Sequence, residues 1–237
     1  MIKYFPLIFI LLWSSAFISG KVIVQDATPF AALAFRFGIV TLGFLLYALV
    51  KKEIIFKKLR FALESITTGV LFHGFYLGGI FYAFYVGVPT GVVALIVTLQ
   101  PILTNLLAGP IYKEEINWKQ WVGIIFGFFG ALLVLGIDYS GKYPNVGIIT
   151  CFVALAGITI GTLWQKKLSG NLSLSVNNGF QALGGCLFNL ILMSIFEDPF
   201  INFTKGFILG MSHQIILVSF GAFTILMFLI KAGSVSK

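Results

Sequence analysis

Eight apolar stretches, each close to 20 residues long, occupy most of the 237-residue chain. A membrane-spanning helix needs about 20 mainly apolar residues, and the stretches lack the polar–apolar alternation of a membrane β-barrel strand. We therefore predict an all-α polytopic membrane protein with about eight transmembrane helices. The predicted spans are Tyr4–Gly20, Pro29–Val50, Phe61–Tyr85, Pro89–Pro110, Trp118–Ile137, Val146–Gln165, Val176–Phe196 and Gly206–Ile230.

Composition excludes several classes of protein. Hydrophobic residues make up 59% of the chain and charged residues only 10%, whereas a soluble domain carries about 25% charged residues. The sequence contains no HExxH, GxSxG, C-x-x-C or GxxxxGK[ST] motif, so nothing in it points to an enzyme or to ATP-driven pumping. The net charge of +8 comes from short basic clusters between apolar runs, which suit lipid headgroups rather than a nucleic acid.

The distribution of Lys and Arg predicts the orientation of the spans. With the N-terminus in the cytoplasm, the inside segments hold 12 of these residues and the outside segments hold 3, while Arg36 lies within a span. Cytoplasmic loops carry the excess of Lys and Arg in membrane proteins. Both termini are therefore predicted to be cytoplasmic.

An internal repeat is visible in the positions of the spans. Sliding the chain by 145 residues lays the sixth, seventh and eighth spans on the first, second and third. A five-span unit that is repeated must insert its second copy upside down, as in many transporters. We expect one repeat over residues 1–140 and a second over 141–237. The second holds three spans, so the chain is expected to be a truncated form of a ten-helix (5+5) protein.

Three stretches resemble a known family. The third-to-fourth helix signature of the EamA type of the drug/metabolite transporter (DMT) superfamily is similar to AFYVGVPTGVVALIVTLQPILTNLLAGPIYKEEI, with Gly91, Pro101 and Glu114 at its characteristic positions. The first and second helices of that family resemble LLWSSAFISGKV and PFAALAFRFGIV. The resemblance implies a ten-helix, two-repeat carrier of small metabolites in the bacterial cytoplasmic (inner) membrane.

Ionisable side chains inside a bilayer are costly, so those that occur there are candidates for function. The eight acidic residues lie at or near the ends of the spans, which argues against a buried carboxylate relay. The deep ionisable residues are Arg36, His73 and His213. Arg36 either extends to the interface or faces a cavity, where it would attract a carboxylate. Each histidine is either a hydrogen-bonding group between helices or a proton-linked group.

Pro101 would leave the carbonyl of Val97 unpaired in mid-membrane, which is tolerated where the backbone lines a cavity. A passive kink is the alternative. The G-x-x-x-G pairs Gly74/Gly78, Gly123/Gly127 and Gly157/Gly161 are predicted to be helix-contact faces. The candidate substrate-binding residues of a central cavity are Trp13, Ser14, Arg36, His73, Tyr76, Tyr82, Gln100, Pro101, Asn105 and Gln181.

These observations predict a secondary transporter (permease or exporter) of small organic metabolites, such as amino acids or drugs, that works by alternating access. The alternative is a non-transporting remnant or a membrane assembly partner, since the second repeat is incomplete. The expected partners are a small-molecule solute, the lipid bilayer and a second copy of the chain in a homodimer. No nucleic acid, metal or other cofactor is expected.

Overall fold

Long apolar helices dominate the structure, a computed structural model that describes residues 4–112, 118–135, 143–168 and 172–231. Helices form because an apolar span must satisfy its own backbone hydrogen bonds. They are α1 (Phe5–Ile23), α2 (Pro29–Val50), α3 (Leu59–Tyr85), α4 (Thr90–Val97 and Gln100–Tyr112), α5 (Trp118–Leu135), α6 (Asn145–Leu168), α7 (Leu174–Phe196) and α8 (Lys205–Ser212, His213–Ala222 and Phe223–Lys231).

The prediction of an all-α polytopic membrane protein is confirmed. Within the described part of the chain, seven helical runs are long and apolar enough to cross a bilayer. They coincide with seven of the eight predicted spans to within a few residues at each end. The fifth predicted span lies on α5, whose described apolar section, Trp121–Gly130, is shorter.

Two helices contain π-helical stretches, Val70–Tyr76 in α3 and His213–Ala222 in α8. Such stretches are rare and occur frequently at functional sites. Moving the first stretch by 145 residues puts it at positions 215–221, inside the second. The same shift puts α2 at positions 174–195, against Leu174–Phe196 for α7. The two halves therefore share helix boundaries at this spacing.

Helices α2 and α7 pack side by side and antiparallel, and each is capped by a carboxylate from the end of the other. Glu197, directly after α7, accepts hydrogen bonds from two backbone N–H groups in the first turn of α2 (2.8 and 3.1 Å). Glu53, in the connection after α2, accepts hydrogen bonds from the hydroxyls of Ser173 (2.6 Å) and Ser175 at the start of α7. Both carboxylates thus lie at the positive end of a helix dipole.

Helices α3 and α7 cross with their backbones nearly in contact, at two glycines. A Cβ atom on Gly184 would lie 2.2 Å from the carbonyl oxygen of Ile66, and one on Gly69 would lie 1.9 Å from that of Gln181. A larger residue at either position would force the helices apart, so small residues set the distance between them.

The predicted G-x-x-x-G contact faces are found at two of the three pairs. At Gly74/Gly78 and Gly157/Gly161, an added Cβ atom would lie 2.4 to 3.4 Å from the nearest atom of a neighbouring helix. At Gly123/Gly127, no atom of the described residues lies within 4 Å of such a position. That pair is therefore not a contact face within the described part of the chain.

Proline shapes both ends of the first half of α4. Gly87 has φ 99° in the turn after α3, and α4 begins at Thr90, directly after Pro89. The helix stops at Val97 and resumes at Gln100. The break follows from Pro101, which has no N–H to donate to the Val97 carbonyl.

Candidate functional site

A cavity lies between α1, α2, α3 and α8, with one side chain from α7. Its empty volume is about 620 Å³, a figure that includes the space at its open mouth. Apolar and aromatic side chains form most of the wall. Its polar and charged members include Arg36, His73, Tyr76, Asn178, Gln214 and Ser219.

Both π-helical stretches border this cavity. His73 and Tyr76 come from the stretch in α3, and Gln214, Val218 and Ser219 come from the stretch in α8. The wider turn of a π-helix changes the angle between successive side chains. On α8 the residues that face the cavity, Gln214, Val218, Ser219 and Phe223, therefore do not follow a 3.6-residue period.

Arg36 brings a positive charge into the cavity, and its side chain is 2% exposed. Its Nε donates a hydrogen bond to the Ser219 hydroxyl (3.0 Å), and its guanidinium carbon lies 5.0 Å from the centre of the Phe37 ring. Among the described residues, its buried Nη1 has no hydrogen-bond partner. Because an unpaired buried charge is costly, this nitrogen is a natural position for an anionic group of a ligand.

Aromatic rings surround the guanidinium. The His73 ring centre lies 4.2 Å from that of Phe37 and 4.6 Å from that of Phe223. Trp13 on α1 and Tyr76 on α3 stack with ring centres 6.2 Å apart and planes within 5°. These rings give the cavity an apolar wall beside the charge of Arg36.

Two amide side chains add hydrogen-bond acceptors. Gln214 donates from Nε2 to the Ala16 carbonyl (2.7 Å) and the Ser19 hydroxyl (2.9 Å), which leaves Oε1 as the acceptor. Asn178 donates from Nδ2 to the Thr224 hydroxyl (3.4 Å). Within the described residues, Gln214 Oε1 and Asn178 Oδ1 are buried and have no partner. The cavity therefore offers a cationic donor together with neutral acceptors.

Four of the ten predicted site residues, Trp13, Arg36, His73 and Tyr76, lie together in this cavity. Three other predicted residues lie elsewhere in the spans. Ser14 is exposed on α1, and Tyr82 stacks on Phe30 with ring centres 5.9 Å apart. Gln181 is fully buried and donates to Gln165 Oε1 (2.6 Å), so it connects α7 to α6.

The three predicted residues on α4 lie next to α6 rather than in the cavity wall. Gln100 donates to the hydroxyls of Thr104 and of Thr162 on α6 (3.4 Å each). Pro101 is exposed and Asn105 is half-buried. The physical reason is the packing of α4 on α6, which turns the broken part of α4 away from α2 and α8.

The sequence analysis did not single out Asn178, Gln214 or Ser219. Gln214 directly follows His213, which was recognised by its depth in the span. The depth of a polar residue in its span therefore indicated the right region of α8, but it did not tell which of two neighbouring residues faces the cavity.

The fold and the cavity define a polytopic, helical integral membrane protein with a polar site among its spans. The sequence model of the EamA-like transporter family matches residues 4–136, which is more than half of the chain. The chain belongs to the EamA-like transporter family, and the resemblance inferred from its helix motifs is confirmed.

Curated relatives carry transporter names. An uncharacterized transporter of Archaeoglobus fulgidus is 29% identical over 158 residues, which cover 66% of this chain and 54% of that protein. A probable amino-acid metabolite efflux pump of Escherichia coli K12 is 22% identical over 163 residues, which cover 68% of this chain and 52% of that protein. The matched part thus spans about half the length of these relatives.

A solved crystal structure has the same fold. It superposes on 97% of this chain with a TM-score of 0.73 and 18% sequence identity, and the match covers 79% of the solved chain. At this identity the likeness concerns the arrangement of helices alone, and it agrees with the all-helical fold described above.

Proposed function

We propose that the chain works in the transport of small zwitterionic organic solutes, of the amino-acid class, across the cytoplasmic membrane. The observation that carries the proposal is the buried guanidinium of Arg36, whose Nη1 has no partner among the described residues of an aromatic cavity. Membership of a transporter family favours this function over a remnant or an assembly partner without transport.

The carboxylate of the solute would bind Arg36. A guanidinium presents several N–H donors in a planar fork that matches a carboxylate. Nε is bonded to Ser219, and the buried Nη1, which has no partner among the described residues, is available to the carboxylate. In a cavity shielded from water, a hydrogen bond between charged groups is worth about 1.5–3 kcal/mol.

The ammonium group of the solute would bind the amide oxygens. Gln214 Oε1 and Asn178 Oδ1 are the acceptors in the cavity wall that lack partners within the described part of the chain. The aromatic rings around His73 and Tyr76 would contact an apolar side chain of the solute. The name of the Escherichia coli relative, an amino-acid metabolite efflux pump, supports the same solute class.

The internal repeat supports alternating access as the mechanism. Helices α1 to α3 and α6 to α8 share boundaries at a spacing of 145 residues, and their π-helical stretches coincide at that spacing. We infer that residues 1–140 and 141–237 form two related units that rock against each other around the cavity. The distribution of basic residues supports a cytoplasmic location for both termini.

The proposal is tested by binding of three related probes to the chain in lipid nanodiscs. L-Phenylalanine carries both charged groups, 3-phenylpropionate lacks the ammonium group and phenethylamine lacks the carboxylate. We expect L-phenylalanine to bind at least tenfold more tightly than either, because each loses charge-assisted hydrogen bonds worth about 1.5–3 kcal/mol.

The chain offers a matched control for Arg36, since it contains one other arginine. Arg60 lies at the start of α3 and pairs on the surface with Glu64 (2.7 Å). Arg36→Gln should weaken binding of L-phenylalanine at least tenfold, Arg36→Lys should weaken it less, and Arg60→Gln should leave it unchanged. Equal affinity in wild type, Arg36→Lys and Arg36→Gln would contradict the proposed site.

A further inference from the structure

We propose that His213 is a proton-binding site, held between two serine hydroxyls of α1, and that its protonation is coupled to solute binding at Arg36. The coupling rests on the function proposed above, whereas the proton site stands on its own geometry. The ring nitrogens of the two histidines have no role in that function.

Both nitrogens of the His213 ring contact α1. Nε2 lies 3.0 Å from the Ser15 hydroxyl oxygen, and Nδ1 lies 3.0 Å from that of Ser19. Residues four apart lie above one another on the same face of a helix. The imidazole therefore lies along the face of α1, with one serine at each nitrogen, and bridges α1 to the π-helical stretch of α8.

The hydroxyl hydrogens decide which charge states the ring can adopt. The Ser15 hydroxyl lies 2.8 Å from the Leu12 carbonyl and 3.0 Å from Nε2; when it donates to Leu12, its oxygen is left as the acceptor for a hydrogen on Nε2. Ser19 has two choices, since the carbonyls of Ala16 (3.2 Å) and Ser15 (3.3 Å) and Nδ1 of the ring all lie within reach.

Proton binding at this site needs one new bond and one rotation. In the neutral ring, the Ser19 hydroxyl donates to the lone pair of Nδ1. When a proton from water forms an N–H bond at Nδ1, the Ser19 hydroxyl turns to the Ala16 carbonyl and its oxygen accepts the new N–H. Release of the proton to water reverses both changes. Because both nitrogens are bonded in both states, the arrangement suits reversible protonation.

Gln214 connects this site to the cavity. Its Nε2 donates to the Ser19 oxygen (2.9 Å), which carries the hydrogen that turns, and to the Ala16 carbonyl (2.7 Å), which receives that hydrogen when His213 is protonated. Its Oε1 is an acceptor of the cavity. One side chain thus contacts both the proton site and the solute site.

The elements packed against His213 carry cations and a carboxylate, Asp26, which follows α1 and accepts from the Thr204 hydroxyl at the start of α8 (2.5 Å). Arg36 on α2 bonds Ser219, six residues along α8 from His213. On α1, Lys21 donates to the Phe84 carbonyl at the end of α3 (2.7 Å), and Lys205 is exposed at the start of α8.

Like charges repel, and a carboxylate bound at Arg36 offsets the repulsion between Arg36 and a protonated His213. The solute ammonium group at Gln214 acts in the opposite sense, and the proposal is that the carboxylate outweighs it, so that solute binding and proton binding favour each other reciprocally.

His73, the other of the two histidines in the chain, serves as the comparison for His213. His73 stacks on Phe37, and its buried Nδ1 has no partner among the described residues. A proton added there would have no acceptor to bond. We therefore expect the two rings to respond differently to pH.

The proton site is tested by NMR of isotope-labelled histidine in nanodiscs, with the two signals assigned by His73→Gln and His213→Gln. We expect His213 to take up a proton between roughly pH 5 and pH 8, the range in which histidine titrates. His73 should keep one state over that range. No protonation of His213 in this range would overturn the proposal.

Two serine substitutions distinguish an effect of the Ser19 hydroxyl on proton binding at His213 from a general loss of structure. Ser19→Ala should make proton binding at His213 about tenfold weaker, a shift of its titration midpoint by about one pH unit, because the new N–H loses its acceptor. Ser194→Ala on α7 is the control, since Ser194 donates to its own helix at Ile191 (2.8 Å) just as Ser15 donates to Leu12. Equal titration midpoints of His213 in both variants would show that the Ser19 hydroxyl plays no part in proton binding.

Coupling is read from the affinity for L-phenylalanine at about pH 5.5 and pH 8, where the solute itself keeps both charges. We expect about tenfold tighter binding at the lower pH in the wild type and no pH dependence in His213→Gln. Binding without pH dependence in the wild type would overturn the coupling. Titration of His213 without any binding of L-phenylalanine would instead support the proton site and contradict the proposed solute class.

Discussion

Replacing Gly184 by alanine tests how the two central helices are held together. The added Cβ atom would lie 2.2 Å from the Ile66 carbonyl oxygen, 2.9 Å from its carbon and 3.1 Å from its Cα. All three are backbone atoms, so no side chain can rotate to make room. Ordinary contact begins at 3.4 Å, so α3 and α7 must separate by about 1 Å over the crossing.

Overfilling a packed interior costs about 1–3 kcal/mol, and a shift of two backbones puts this substitution near the upper value. In a chain of this size, 1 kcal/mol lowers the melting temperature by about 2–4 °C. We therefore expect Gly184→Ala to lower the apparent Tm by about 6–12 °C, measured by circular dichroism in detergent at one fixed scan rate.

Two further variants make the reasoning refutable. Gly127→Ala adds the same methyl group where no described atom lies within 4 Å, and alanine is the better helix former, so its Tm should stay equal or rise. Gly69→Ala strains the same crossing, and one separation of the helices relieves both strains, so the double variant should lose less than the sum of the single losses. A Gly184→Ala protein as stable as Gly127→Ala would show that the crossing is not tight.

Two predictions concern the ends of the helices. Glu197→Gln removes the charge that caps α2, and such a cap is worth about 1 kcal/mol, so the apparent Tm should fall by about 2–4 °C. Asp198→Asn, at the exposed neighbouring position, is the control and should leave the Tm unchanged. Reporter fusions after Lys142 and after Lys237 should report opposite sides of the membrane, as the basic residues predict. A report of the same side from both fusions would exclude eight alternating spans.

The spans could be predicted from the sequence because each is a local property of about 20 residues. Pro29–Val50, for example, was predicted with the bounds that the helix has in the structure. The break in α4 followed in the same way from Pro101, because the loss of a backbone donor is a property of one residue.

The cavity was harder to predict, since it depends on the rotation of each helix. Ser14 and Ser15 are neighbours in an apolar helix, and their sequence context is nearly the same. One is exposed and the other contacts His213, because successive residues point about 100° apart. The π-helical stretches change this rotation again, so the residues of α8 that face the cavity, Gln214 and Ser219 among them, do not follow from a regular helical period.

The reciprocal caps of α2 and α7 have a consequence for how the protein can open. Glu197 and Glu53 lie at opposite ends of the helix pair and therefore at opposite faces of the membrane. An opening at either face breaks the two hydrogen bonds of one carboxylate and leaves those of the other intact. Glu197 accepts from two backbone N–H groups and Glu53 from two serine hydroxyls, so either opening costs two hydrogen bonds to a charged group. In the alternating access proposed above, each form of the protein would therefore keep one of the two caps, and the binding energy of a solute would offset the loss of the other.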